Sequence, residues 1–377
     1  MISFLLENSK EKECVQMADN KIKVLMIGPG RDVKGGISTV VNQYYEAHLD
    51  EMVQLKYIAT MEDGNKLKKL LIAAKALVQF KHCVKDYDIV HVHMASRASF
   101  YRKSYFVKIA YAIGKKIVIH MHGGEFDVFY NEECNANQRE NVRKIFAMAD
   151  VVIALSDSRS KFLGKICDSK KVMTLYNSVV LPAYQKNDYQ DQNVLFLGRL
   201  GKRKGAYDLI EAMPKVITSC PDVHFYLGGD GEIEMCRQKC EEMGISDYVT
   251  FLGWVKGKDK VDILKKCSIY VLPSYHEGMP MSVLEAMSYG LATVSTTIGG
   301  IANVIDDGKD GILIVPGDKD KIADSLIILL QHPIYKKQIG KAGRTKIEDK
   351  FNLDRMVLKL VAEYQKIINR QDSGIDV

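Results

Sequence analysis

A chain of 377 residues exceeds one ordinary hydrophobic core and points to two domains. Its composition, 47% hydrophobic and 27% charged, is that of a globular protein and excludes fibrous and low-complexity classes. No apolar run reaches the roughly 18 to 20 residues of a spanning helix, and the net charge of +6 resides in the first half. Residues 1 to 180 carry 27 Lys and Arg against 20 Asp and Glu, whereas the remainder carries 26 against 27.

Ile2 to Leu6 is too short, and the following Glu7, Glu11 and Glu13 too acidic, for a secretory signal. Residues 1–20 therefore read as a loose leader. From Lys21 onward, strand-like and helix-like runs alternate, which predicts parallel sheets covered by helices. Residues 22–27 read as a strand, Gly28-Pro29-Gly30 opens a loop, and residues 37–48 read as a helix. The loop continues through Gly35-Gly36, whose bare backbones admit a phosphate or sugar at close range. It lacks the Gly-Lys-Ser/Thr of a P-loop and the spacing of a dinucleotide fingerprint, so an NAD enzyme is a poor fit.

Between Lys66 and Lys116 stand 12 basic residues against Asp86 and Asp88 alone. A solvated helix face is the ordinary reading of a charge run. One this one-sided points to an anionic surface as partner. No basic-aromatic interleaving or recognition motif supports nucleic acid.

Strands follow at 88–93, 116–120, 151–155 and 172–175. His91 and His93 share one face of their strand, and His120 and His122 close the next. Four ligands from two separate His-x-His pairs need a coincidence of geometry, so no metal site is expected. His122, followed by Gly123-Gly124-Glu125, is the histidine expected at a cleft edge as a neutral hydrogen-bonding imidazole. Asp86-Tyr87-Asp88 and Asp318-Lys319-Asp320 resemble metal-holding triplets. The first leads into a strand and the second suits a helix cap, so neither is taken as a metal site. The eight cysteines are scattered, with no zinc spacing, and read as free thiols in a reducing compartment.

Residues 181–192 are polar, contain Pro182 and read as a linker. The second half begins with a strand at 194–198. Then come Gly198-Arg199-Leu200-Gly201-Lys202-Arg203-Lys204-Gly205, four basic residues ahead of a helix. Arg forks, Lys point charges and a helix N-terminus suit a diphosphate. Further strands are expected at 223–227, 249–252, 268–272, 291–295 and 312–315, and a final amphipathic helix at about 353–371. The stretch His276 to Glu285 places two carboxylates, Glu277 and Glu285, with Gly278 and Pro280 between them. Gly278 and Pro280 break any helix there, so Glu277 belongs to a loop and Glu285 to the next helix, with Pro280 expected at its first position. The free N–H groups of that helix start face the space both carboxylates border. A ligand with an anionic group and several hydroxyls fits, and a nucleotide sugar has both.

Taken together, these motifs resemble the retaining glycosyltransferases of family 4, which have the GT-B fold of two facing Rossmann-like domains with parallel sheets and an interdomain cleft. The resemblance runs over roughly residues 21–350 and rests on Glu277 to Glu285, Gly198-Arg199 with Lys204, Tyr176-Asn177-Ser178, Ile298-Gly299-Gly300, Asp307-Gly308 and Gly311. It implies an acceptor domain over 21–180, a nucleotide-sugar domain over 193–350 and a C-terminal helix, 351–377, returning to the first. By position it implies that Arg199 and Lys204 hold the donor diphosphate, Glu285 the ribose hydroxyls and Glu277 the transferred sugar. Gly278, Met279 and Met281 offer backbone N–H groups, Pro280 and Gly198 border the donor, Gly35 and Gly36 close over it, and His122 nears the anomeric carbon. It implies no metal and no cofactor. The expected enzyme is cytoplasmic, able to lie on the inner face of the membrane, and transfers sugar to a glycan or polyprenyl-linked acceptor in surface polysaccharide synthesis. A nucleotide-sugar epimerase of the same fold and a non-catalytic scaffold are the rival readings. One departure stands out: Asn303 occupies a place where the family often has an acid.

Overall fold

The computed structural model describes residues 21–372 except 185 and 187. The expected 1–20 leader lies outside the described residues. Two six-stranded sheets, each parallel throughout, form the frame.

The first sheet contains β1 (Lys23–Gly28), β2 (Gln54–Ala59), β3 (Ile89–Met94), β4 (Lys116–Met121), β5 (Val151–Ala154) and β6 (Val172–Thr174) in the order β2-β1-β3-β4-β5-β6. Its helices include α1 (Gly36–Glu46), α2 (Lys66–Cys83), α3 (Ala98–Ala112), α4 (Ala136–Ala147) and α5 (Asp157–Leu163). The central strands are apolar runs because both faces are covered, and every residue of β3 and β5 is buried. Helix starts follow side-chain caps. Asn65 accepts from the Lys68 N–H, Asn135 forms a capping box with Gln138, and Ser156 accepts from the Arg159 N–H.

The second sheet contains β7 (Asn193–Leu197), β8 (His224–Gly228), β9 (Val249–Gly253), β10 (Ile269–Leu272), β11 (Ala292–Thr296) and β12 (Ile312–Ile314), ordered β12-β11-β10-β7-β8-β9. It is flanked by α6 (Ala206–Ser219), α7 (Ile233–Glu242), α8 (Gly257–Lys266), α9 (Met281–Ser288), α10 (Lys319–Gln331) and α11 (Pro333–Lys350). In each sheet the strand order reverses between two neighbours, β1/β3 and β7/β10. Crevices at such reversals, beyond the carboxyl ends of the strands, are where open α/β sheets bind ligands.

The chain crosses between the sheets twice, and the two crossings run side by side. The Val179 N–H donates to the Phe351 carbonyl at 3.0 Å, and the Leu353 N–H donates to the Val179 carbonyl at 3.0 Å. Beyond this seam, α12 (Leu353–Asp372) buries Leu353, Met356, Val357, Leu360, Tyr364 and Ile367, an i, i+3, i+4, i+7 stripe. That stripe packs toward α1, and the Tyr364 hydroxyl meets His91 Nδ1 of β3 at 2.5 Å. The apolar contacts are continuous from one side of the first sheet through α12 into the second domain.

Candidate active site in the interdomain cleft

Loops from the carboxyl ends of both sheets enclose one cleft of about 690 Å³. The first sheet supplies the loop after β1 (Lys34, Gly35, Gly36), the loop after β3 (Ala95, Ser96, Arg97) and the loop after β4 (His122, Gly123, Gly124, Glu125). The second supplies Gly198, Arg199, Arg203 and Lys204 after β7, and Glu277, Gly278, Met279, Pro280, Met281 and Glu285 around the start of α9. All twelve residues singled out from sequence thus line a single space: His122, Arg199, Lys204, Glu277, Gly35, Gly36, Gly198, Gly278, Met279, Pro280, Met281 and Glu285.

The Lys204 amine bonds directly to the Glu277 carboxylate, and both side chains are largely buried. Local backbone builds this pair. Lys204 ends a short turn of helix, and Gly205 follows at φ +69°, where a Cβ would collide with the Pro273 carbonyl oxygen. The Arg203 carbonyl then accepts the Tyr275 N–H at 2.9 Å and the Ser274 hydroxyl at 3.0 Å. The basic turn is stitched to the strand end that leads into Glu277. The sequence suggested a clamp of four basic residues at a helix N-terminus. Here Lys202 is exposed and absent from the cleft wall, leaving Arg199 in the loop after β7, with Arg203 and Lys204 on a separate turn (Lys202–Lys204) ahead of α6.

Glu285 lies on the second turn of α9 and pairs with Lys260 of α8 at 2.8 Å. Pro280 is the N-cap residue, with ψ 122°, rather than the expected first helical residue, which is Met281. An extended ψ at Pro280 lets the chain swing from the Glu277 loop into the helix within one residue. Gly299, at φ +55°, and Gly300 pack against this loop, and the Gly300 N–H donates to the Gly278 carbonyl at 2.5 Å.

Contacts across the cleft come from both backbone and side chains. A Cβ on Gly124 would lie 2.9 Å from the Glu277 carbonyl carbon and 2.9 Å from the Gly278 nitrogen. Asn177 donates its amide to the Met279 carbonyl at 2.7 Å. Asn303, the departure noted above, donates to the Asp157 carboxylate at 3.1 Å, and Asp157 also accepts from the Tyr176 hydroxyl at 2.9 Å. An acid at 303 would face Asp157 directly, so the amide suits this partner.

The histidines are closer together than expected, because β3 and β4 are neighbours and His93 is in register with His120. His93 Nδ1 lies 2.8 Å from His122 Nε2, and His91 Nε2 lies 3.3 Å from His120 Nδ1. Nitrogens of His91, His93 and His120 lie within 4.8 Å of one another. The rings are stacked, however, with interplanar angles of 16° for His91–His93 and 28° for His93–His120. The His91–His120, His93–His122 and His120–His122 pairs are tilted by 34°, 35° and 31°. Burial pulls His122 down to about 3, helped by the charge of Lys103 and by His91, so its imidazole is neutral at ordinary pH. Lys103, on α3, is itself buried and donates to Ser99 Oγ at 3.2 Å; burial brings its amine down to about 7.

Asp86 and Asp88 do not line the cleft, and Asp88 accepts the Lys23 N–H at 2.8 Å. Asp318 caps α10 by accepting the Lys321 N–H at 2.9 Å, as its position suggested. The seven cysteines among the described residues are free. Sequence reading missed Lys260, Lys103 and Trp254, the chain's one tryptophan, which lines the cleft wall beside Val255.

A fold of two facing parallel sheets with a cationic, carboxylate-bearing cleft between them defines the GT-B class. Comparison with known proteins agrees. Residues 191–332 match the family model described as glycosyl transferases group 1. The chain is 27% identical over 304 residues to the N-acetyl-alpha-D-glucosaminyl L-malate synthase of Bacillus anthracis, covering 77% of each. It is 27% identical over 354 residues to the UDP-Gal:alpha-D-GlcNAc-diphosphoundecaprenol alpha-1,3-galactosyltransferase of Escherichia coli, covering 86% of this chain and 87% of that one. Its fold matches sucrose-phosphate synthase from Thermosynechococcus elongatus with a TM-score of 0.78 at 18% identity, over 93% of this chain and 100% of the other. The chain has the GT-B fold, and its second domain is similar to the glycosyl transferases group 1 family over residues 191–332.

Proposed function

We propose that the protein is a retaining, metal-independent transferase that moves a sugar from a nucleotide diphosphate sugar to a hydroxyl of a lipid-linked glycan, at the inner face of the cell membrane. The observation that carries this reading is the convergence of Arg199, Arg203 and Lys204 with Glu277 and Glu285 around the free N–H groups of α9. The Escherichia coli relative, whose name specifies a diphosphoundecaprenol-linked acceptor, aligns over nearly the whole chain and supports an acceptor of that chemistry.

In this account the diphosphate takes the place that Lys204 now gives to Glu277. Arg199 and Lys204 neutralise negative charge growing on the leaving oxygen, in a site that needs no reorganisation at that moment. Backbone N–H groups of Gly278, Met279 and Met281 add the positive end of α9. Glu277, freed from Lys204, accepts hydrogen bonds from hydroxyls of the transferred sugar, and Glu285 accepts those of the ribose. Gly35 and Gly36 close over the donor, with Gly198 beneath it. His122, held at Nε2 by His93, presents a neutral imidazole toward the anomeric carbon. The acceptor hydroxyl attacks from the face the diphosphate leaves, and the departing phosphate oxygen takes the hydroxyl proton. Basic side chains supply the charge stabilisation, so no cofactor enters.

Proton NMR of the glycoside formed in excess EDTA tests the reading. An anomeric coupling matching that of the donor is expected. Inverted coupling, loss of turnover in EDTA, or conversion of a lone nucleotide sugar without acceptor overturns it.

A further inference from the structure

The outer face of α2 is built unlike that of an ordinary surface helix. Its inner face buries Ala76, Phe80 and Cys83 against the first sheet. The opposite face is expected to be polar. Instead Leu67, Leu71, Ala74 and Val78 recur there at i, i+4, i+7 and i+11. Leu67, Leu70, Leu71 and Val78 are 66, 67, 62 and 70% exposed. Lys68, Lys75 and Lys81 flank this stripe, and no acidic residue occurs between Asp63 and Asp86. The neighbouring helix α3 adds the exposed Tyr105 and Tyr111, with Lys108 and Lys115 close in sequence.

Because α2 follows β2, its first turns sit at the carboxyl edge of the first sheet, the edge that borders the cleft. Leu67, Leu70 and Leu71 belong to these turns. No helix among the described residues is long and apolar enough to cross a membrane. An apolar stripe bordered by lysines on a helix too polar to span is the pattern of one lying in the plane of a lipid interface.

We propose that α2, with the outer edge of α3, is an interfacial docking surface for anionic lipid. Leu67, Leu70, Leu71 and Val78 enter the acyl boundary, Lys68, Lys75 and Lys81 reach phosphate headgroups, and Tyr105 and Tyr111 sit at headgroup level. Charge complementarity selects this occupant: a protein partner needs no lysine border free of acids, whereas a bilayer rich in phosphatidylglycerol is attracted by it. The orientation brings the cleft mouth to the bilayer. Only this last consequence rests on the lipid-linked acceptor proposed above.

Co-sedimentation with vesicles of phosphatidylcholine, with and without phosphatidylglycerol, tests it at low and high salt. Binding to the anionic vesicles is expected, weakened by salt. Leu67→Glu/Leu71→Glu should lose about tenfold or more in partitioning, and Lys68→Glu/Lys75→Glu/Lys81→Glu a similar amount. All five positions lie on the helix's outer face away from the cleft, so thermal midpoint and nucleotide-sugar hydrolysis in solution should be unchanged. Absence of binding at low salt, or equal binding by the Leu67→Glu/Leu71→Glu variant, overturns the proposal. So does a dimer that this variant turns into monomer while vesicle binding persists, which would make the face a self-association surface. A protein that binds vesicles normally but transfers no sugar contradicts the proposed function and leaves the docking surface standing.

Discussion

Gly124 and Glu277, from opposite domains, are in backbone contact: a single methyl group on Gly124 would lie 2.9 Å from the Glu277 carbonyl carbon. The loop that carries His122 is thereby set against the loop that carries the carboxylate. Real Cβ atoms do not come that close to backbone, so Gly124→Ala must separate the two loops by a few tenths of an ångström or more. Small misplacements of reacting groups are costly, and a fall in kcat/KM of about tenfold or more is expected with the fold retained. Unchanged kinetics with an unchanged melting point would show that this contact does not set the site.

Trp254 offers an internal reporter. It is the sole tryptophan, 43% exposed, and the Lys34 amine from the other domain lies 5.4 Å from its ring centroid. A nucleotide diphosphate entering the cleft changes the surroundings of that ring. Titration with UDP, GDP and ADP should give saturable quenching or enhancement with at least one of them, abolished in Trp254→Phe. A flat signal at concentrations that raise the thermal midpoint would place the nucleotide away from this wall.

The stacked histidines predict a pH response. His91 is pulled down to about 3, and His93 and His120 well below their ordinary value of 6.5, mainly by burial. The folded protein holds them neutral while the unfolded chain protonates them freely. Their folded values are depressed, so the stability they permit is complete above about pH 6.5 and is lost as pH falls below it. Unfolding should take up roughly one proton per buried histidine near pH 5, seen as a falling melting temperature between pH 7 and 5. A flat profile over that range would contradict neutral burial.

His122 shares that environment, and its fall to about 3 has a kinetic consequence. An imidazole that stays neutral from pH 5 to 9 contributes no acid limb to the rate profile. His122→Ala should lower kcat/KM by roughly 10²-fold if the imidazole assists at the reacting centre. The shape of the profile should be unchanged. Disappearance of an ionisation near pH 6 in the variant would show that His122 titrates in the working range.

Much of this site is legible in the sequence, for a physical reason. Buried parallel strands announce themselves as apolar runs, and the chemistry sits where those runs stop. Glycines, Lys204 and Glu277 follow strand ends directly, so locating the strands located the cleft. Strand β2, Gln54–Ala59, escaped notice because it is an edge strand, only Ile58 of it is buried, and its polar residues mask the pattern. Pro280 was misplaced by one residue, since helix propensity does not distinguish a cap from a first turn. Lys260 and Trp254 carry no local signal. Their place beside Glu285 and across from Lys34 comes from folding of separate segments. The opposite error concerned the histidines. Two separate His-x-His pairs give no sign in sequence that they meet, yet adjacent strands in register bring them together.

The most direct test of the account is steady-state turnover of the nucleotide-sugar donor by Lys204→Ala and Glu277→Ala, each compared with wild type at matched thermal stability. If the amine holds the diphosphate and the carboxylate holds the sugar, each change should lower kcat/KM by about 10²-fold or more. Near-wild-type turnover by either folded variant would contradict the assignment of this cleft as the catalytic centre.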